Sequence, residues 1–212
     1  MLIRVSALAE LADLLSRAGV PLIENWDEAQ RCFESWLARP DLRTELRNYL
    51  RDLSPAEMEV VRDRSRETTT HFAWCLRDRP DEPFTFWLHE YKPQRDWRAG
   101  YADSVHNHRY HFCTTLVTGG YLHERYLATV DRSQTMISAV ELVTSRWCAA
   151  GDAGMLLASE FHRIPRARDN TMTFLIKSRG FARYSLSYDP ATRTSHQHIP
   201  VESRLDDLAS RI

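Results

Sequence analysis

The chain has 212 residues, 43% of them hydrophobic and 27% charged, with 28 Lys plus Arg set against 29 Asp plus Glu for a formal net charge of −1. A chain of this size and texture can bury one sizeable core, as a single domain or a domain with an extension. The balanced charge leaves no footprint for a nucleic acid or an acidic membrane, and no apolar run reaches the ~18 residues of a membrane span.

Helical periodicity runs from the start to about residue 80. The opening segment, MLIRVSALAELADLL, carries acids among its apolar residues and lacks a cleavage site, so it reads as a helix rather than a targeting signal. Leu8, Leu11 and Leu15 share one face, with Gly19 as a stop and Pro21 beyond it. Asn25 with Glu28 has the spacing of a capping box and opens a helix striped by Trp26, Ala29, Phe33, Trp36 and Leu37, ended by Pro40. Leu42, Leu46, Tyr49, Leu50 and Leu53 mark a third helix. Ser54 as cap, Pro55 at the first helical position and Glu57 start a fourth. These apolar stripes are packing faces.

After residue 80 the period changes to two. The run Phe84-Thr85-Phe86-Trp87-Leu88-His89 alternates in polarity, and residues 113–117, 121–126, 135–144, 155–157, 171–177 and 183–188 are further strand candidates. Turn signals such as Thr118-Gly119-Gly120 and Gly151-Asp152 separate several of them. Short strands at this spacing predict a small antiparallel barrel or sandwich. The expected organisation is a helical segment over 1–80 packing on a barrel over 81–190. A tail over 191–212 follows, with a short helix of Leu205, Leu208 and Ile212. The cysteines at 32, 75, 113 and 148 form no CxxC pattern and suit free thiols in a reducing cytoplasm.

The chemistry sits in a grid of glycines and histidines. Gly100, His106, His108, Cys113 and Gly120 read G-x5-H-x-H-x4-C-x6-G, and Gly151 with His162 stands in G-x5-L-x-S-x2-H-x3-R. On an extended strand, residues i and i+2 face one way, so His106 and His108 can present two imidazoles to one point. A third from a neighbouring strand, His162, would complete one face of a metal and leave the other open, as a catalytic site needs.

This grid resembles the cupin superfamily, whose motifs read G-x5-H-x-H-x3,4-E-x6-G and G-x5-P-x-G-x2-H-x3-N. The first matches at every spacing, with Cys113 in place of glutamate; in the second, Leu157, Ser159 and Arg166 replace Pro, Gly and Asn. The resemblance covers residues 84–190. It implies a mainly β fold, a double-stranded β-helix (jelly-roll) barrel preceded by helices, and pairing as a homodimer. The cysteine and the leading helices make the chain similar to cysteine dioxygenase and other thiol dioxygenases with a three-His iron site. There the cysteine can be joined to a tyrosine by a thioether. Thr173-Phe174-Leu175-Ile176-Lys177 lacks that group's Ser-x-His-x-Tyr run, which points away from cysteine itself as substrate.

The resemblance thus implies a non-haem Fe(II) oxygenase that uses O2 on a small polar, anionic metabolite. Its metal ligands would be His106, His108 and His162. Three neutral imidazoles also suit Zn, Ni, Mn or Cu. The alternative is a non-redox metal-binding cupin, an isomerase, lyase or binding module. Cys113, His89 and His123 are the candidates for catalytic contact, with a buried, inert barrel residue as the other reading of Cys113. Arg166, Lys177 and Arg109 are the candidates to hold a substrate carboxylate. His111 is expected at a barrel edge, and His71, His196 and His198 outside the cavity.

Overall fold

In the computed structural model, residues 6–18, 24–39, 41–200, 204, 208, 210 and 211 are described. Four helices come first: α1 (Ala7–Arg17), α2 (Trp26–Leu37), α3 (Leu42–Asp52) and α4 (Pro55–Arg64). Twelve strands follow, with β1 (Arg66–Glu67), β2 (His71–Asp78), β3 (Phe84–Tyr91), β4 (Val105–His106), β5 (Phe112–Thr118) and β6 (Gly120–Val130). The rest are β7 (Ile137–Ala149), β8 (Ala153–Leu156), β9 (Phe161–Ala167), β10 (Met172–Ser178), β11 (Ser185–Asp189) and β12 (Thr194–His198).

All strand pairs are antiparallel. One sheet runs β1-β2-β3-β10-β5-β8 and the other β12-β11-β4-β9-β6-β7. Two six-stranded antiparallel sheets around a common interior, with helices outside, make the mainly β barrel preceded by helices that the sequence pattern predicts.

The helices decide what each face of the first sheet must be. Phe84, Phe86 and Leu88 of β3 and Phe174 and Ile176 of β10 point outward into one core with Leu8, Leu11, Leu15, Phe33 and Trp36. Strand alternation then turns Thr85, Trp87 and His89, and on β10 Thr173, Leu175 and Lys177, the other way. A sheet covered on both faces needs no solvated side, so β3 is apolar along most of its length. Polar anchors fix the helices: Trp36 Nε1 donates to the Ala7 carbonyl at 2.9 Å, and Tyr49 Oη to the Leu76 carbonyl at 2.9 Å.

Caps follow the sequence in part. Ser6 accepts from the Ala9 amide, and Ser54 and Glu57 form a reciprocal capping box with Pro55 in the first turn. Asn25 caps nothing with its side chain, so the expected box with Glu28 is absent. Glu28 instead pairs with Arg31 at 2.5 Å. Gly19, Pro21, Pro40, Leu205 and Ile212 lie outside the described residues, and Leu208 is exposed. Strands begin earlier than residue 80, because β1 and β2 extend the first sheet beyond β3. His196 and His198 lie on β12, outside the space enclosed by the two sheets, as expected.

The motif glycines have a steric reason. A Cβ on Gly120 would stand 2.6 Å from the Cys148 carbonyl oxygen, and Gly151 turns the chain between β7 and β8 at φ +92°.

Phe174→Ala tests the helix-to-sheet core. The ring is fully buried, with ring centres of Trp36, Phe86 and Phe33 at 5.2, 5.9 and 6.2 Å. The substitution is expected to cost about 3–5 kcal/mol, read as a lower urea midpoint. A loss below about 1 kcal/mol would mean that the helices pack elsewhere.

Candidate metal centre

Strand pairing builds the centre. His106 on β4 lies directly across the ladder from His162 on β9. The strand holding His106 ends at that residue, so His108 reaches in from the loop that follows rather than from an extended strand. The three ligand nitrogens lie within 4.8 Å of one another. His108 Nε2 and His162 Nε2 are 2.9 Å apart. Two nitrogens at about 2.1 Å from one ion and at right angles to it stand about 3.0 Å apart, so this spacing suits two adjacent positions of an octahedral ion.

The other ring nitrogens are held from behind. His106 Nδ1 lies 2.9 Å from the Ser104 carbonyl, which must accept a proton from it, and this leaves Nε2 bare. His162 Nδ1 is 3.1 Å from His123 Nε2. When Nε2 of His162 holds an ion, Nδ1 carries the proton and donates it to His123. Tyr101 donates to the Asn107 carbonyl and lies with its ring centre 4.4 Å from that of His106.

Burial, first of all, keeps the imidazoles neutral. It pushes His106 down to about 4 and His108 and His162 well below the usual range, with neighbouring histidines adding to the effect on the latter two. A neutral imidazole is the form a metal needs. The residues present therefore fit a divalent ion in identity, spacing and protonation.

The centre faces a cavity of about 780 Å³ between the two sheets. Its lining holds four basic side chains, Arg66, Arg125, Arg146 and Lys177, against one acid, Asp152. Arg125 pairs with Glu160 at 2.5 Å. A volume of this order takes a molecule much larger than a single amino acid.

The candidate residues separate. His89, His123 and Lys177 line the cavity together with the three ligands. Cys113 does not. On β5 it alternates with Phe112 and Thr114, which line the cavity, and so packs in the core beneath the helices. Burial raises its thiol to about 12, a state unsuited to metal binding or nucleophilic work. Phe112 takes the place beside the centre, with its ring 5.1 Å from that of His108 and 5.9 Å from that of His162.

Arg166 also faces away. A bulge sets Ile164 and Pro165 of β9 against His123 alone, which turns Ala167 inward and Arg166 out to solvent. Arg109 stays off the cavity wall, in the turn where its carbonyl accepts from the Phe181 and Ala182 amides. His111 accepts from the Ala158 amide through Nδ1 at 2.9 Å. His198 Nε2 lies 2.7 Å from Ser187 Oγ.

His71, expected outside the cavity, is the lining residue that sequence reasoning misplaces. It lines the cavity from β2, its ring 4.3 Å from that of His89 and its Nδ1 2.9 Å from Thr70 Oγ1. The run His71-Phe72-Ala73-Trp74-Cys75-Leu76 is aromatic and bounded by Thr68-Thr69-Thr70 and Asp78-Arg79, signals of a strand rather than a helix.

No protein-family model and no curated protein matches the chain. Among solved structures it is similar to oxalate decarboxylase from Bacillus subtilis at pH 4.6, at 15% identity and a TM-score of 0.38. It is also similar to the Bacillus subtilis oxalate decarboxylase described for its Mn(II) centres, at 16% identity and a TM-score of 0.38. Each alignment covers 68% of this chain and 34% of the other, so the chain spans about a third of their length. At such similarity, function has to be argued from the site itself.

His123→Ala is expected to weaken metal binding about 10–100-fold by releasing the His162 ring, measured by competition with a chelating dye. Unchanged affinity would show that His123 orients nothing. A second outcome concerns acid. Burial holds His71 at about 3, below its ordinary 6.5, so the unfolded chain binds its proton first. The stability that this neutral ring contributes is complete above pH 6.5 and lost as pH falls towards 3. The urea midpoint of the metal-free protein should fall across that window, with a shallower fall in His71→Asn.

Proposed function

We propose that the protein is a metal-dependent cupin enzyme in which His106, His108 and His162 hold a divalent ion, Fe(II) by preference, and an anionic small molecule is oxidised with O2. The observation that carries the reading is the convergence of three neutral imidazoles, with 2.9 Å between two of their Nε2 atoms, on the wall of a large cavity. Bound Fe(II) would supply vacant positions and reducing electrons for oxygen activation. The chain's own residues do the rest.

A ligand set of imidazoles adds no negative charge, and Phe112 stands beside the centre where a carboxylate could otherwise balance the ion. That charge is left for the substrate to supply. His123 holds the Nδ1 proton of His162, and the Ser104 carbonyl that of His106, so both rings keep Nε2 directed at the ion. Phe112 and Tyr110 pack against His108, its ring centre 5.1 and 5.0 Å from theirs, and keep bulk water from that side. The cytoplasm is the proposed location, supported by four free cysteines. Pairing of two copies is part of the same reading. No helix among the described residues is long and apolar enough to cross a membrane.

The same triad serves a non-redox reading, because three imidazoles hold zinc or manganese as readily as iron and a cation there can polarise a carbonyl. Metal analysis of protein purified without added metal separates the two. For the oxygenase reading, protein loaded anaerobically with Fe(II) should bind nitric oxide and give its characteristic paramagnetic signal. His106→Ala and His162→Ala should abolish it. Zinc-loaded wild-type protein inert to both gases, with Fe(II) bound nowhere specific, would overturn the oxygenase.

A further inference from the structure

The sheet facing the centre carries a cluster that metal binding does not use. Lys177 is 4% exposed, and among the described residues no carboxylate pairs with it. Its Nζ has His89 Nε2 at 3.3 Å, the Trp87 ring at 4.4 Å and the Tyr110 ring at 5.1 Å. The fold treats its other buried lysine differently, since Lys92 meets Glu67 at 2.5 Å. A buried ammonium without a counter-charge is costly, and a cavity is where one can be delivered.

Position relative to the centre is set by Tyr110. Its ring stacks on His108 at 5.0 Å, so the Lys177 amine lies within about 10 Å of the His108 ring centre. Beside the amine the wall carries Phe112 and Leu175, and the cavity continues along β10 past Leu116 to Tyr91 and Tyr121.

We propose that Lys177, backed by His89, is the anion anchor of this cavity, and that the substrate is an organic carboxylate with an apolar, ring-sized body. Its carboxylate pairs with Lys177 and its other end meets the imidazole triad. The assignment of the far end rests on the metal-centre reading; the anchor does not. Lys177 donates to His89 Nε2 and keeps its remaining ammonium protons for two carboxylate oxygens. The titratable groups facing it are Arg66 on β1, His71 and Cys75 on β2, His89 on β3, and His108 and Tyr110 ahead of β5. Burial, with Arg66 adding to it, lowers the amine to about 7, so an arriving carboxylate should draw a proton onto it at pH 8.

Calorimetric titration of the metal-free protein with 3-phenylpropionate and with its uncharged amide tests this. The carboxylate should bind about tenfold more tightly than the amide and with proton uptake at pH 8, seen by comparing buffers of different ionisation enthalpy. Lys177→Met and Lys177→Gln should bring the carboxylate down to the amide's affinity and leave the amide unchanged. Should both variants fail to fold, the wild-type protein still decides the matter. Acylation of Lys177 by acetic anhydride, followed by mass spectrometry, should be slowed by the carboxylate and not by the amide. Because the titration is run on metal-free protein, its outcome does not depend on an ion at the triad, so a failed metal reading and a failed anchor are told apart. Absent carboxylate binding, equal affinity for acid and amide, or unprotected Lys177 overturns the anchor.

Discussion

The ladder between β4 and β9 sets two imidazoles side by side, and the chemistry of this protein depends on it. Residues directly opposite on antiparallel strands bring their side chains close on one face, so His106 and His162 cannot avoid each other. The loop after β4 has only to carry His108 back to the same point. Behind the rings, the Ser104 carbonyl and His123 take the protons that would otherwise leave the choice of nitrogen open. The rings are thereby neutral and already in place, and an arriving ion has only to displace the proton shared between His108 Nε2 and His162 Nε2.

The helices make the cavity affordable. By covering the outer face of the first sheet they let Phe84, Phe86, Phe174 and Ile176 form the main apolar core outside the barrel. The barrel interior is therefore free to hold histidines, tyrosines and a lysine around open space. Core and site are separated by the thickness of one sheet, and strand alternation decides which residue serves which. That same alternation places Lys177 on the cavity wall and Ile176, its neighbour, among the helices.

The triad was legible because the glycines that frame it are fixed by close backbone approach at Gly120 and a left-handed turn at Gly151, and such needs leave a regular spacing. The sequence leaves Cys113 between a catalytic and a buried, inert role because motif spacing says where a residue lies along a strand and not which face it takes; on β5 the cavity side belongs to Phe112 and Thr114, and the buried role holds. Arg166 was lost to a bulge at Ile164 and Pro165, an inserted residue that reverses parity and that spacing alone does not reveal. His71 was hidden by the assumption that the helical texture reached residue 80, although the strand signals around it are present. His89 and Lys177 could be named from the sequence, but their meeting at 3.3 Å depends on the pairing of β3 with β10.

X-ray absorption at the metal edge of protein loaded with one equivalent of Fe(II) tests the central geometry most directly. The account predicts three imidazole nitrogens at about 2.1 Å, with the remaining positions filled by exchangeable oxygen ligands and no sulfur. A sulfur shell, a fourth protein ligand that closes the coordination sphere, or a spectrum unchanged in His106→Ala would contradict it.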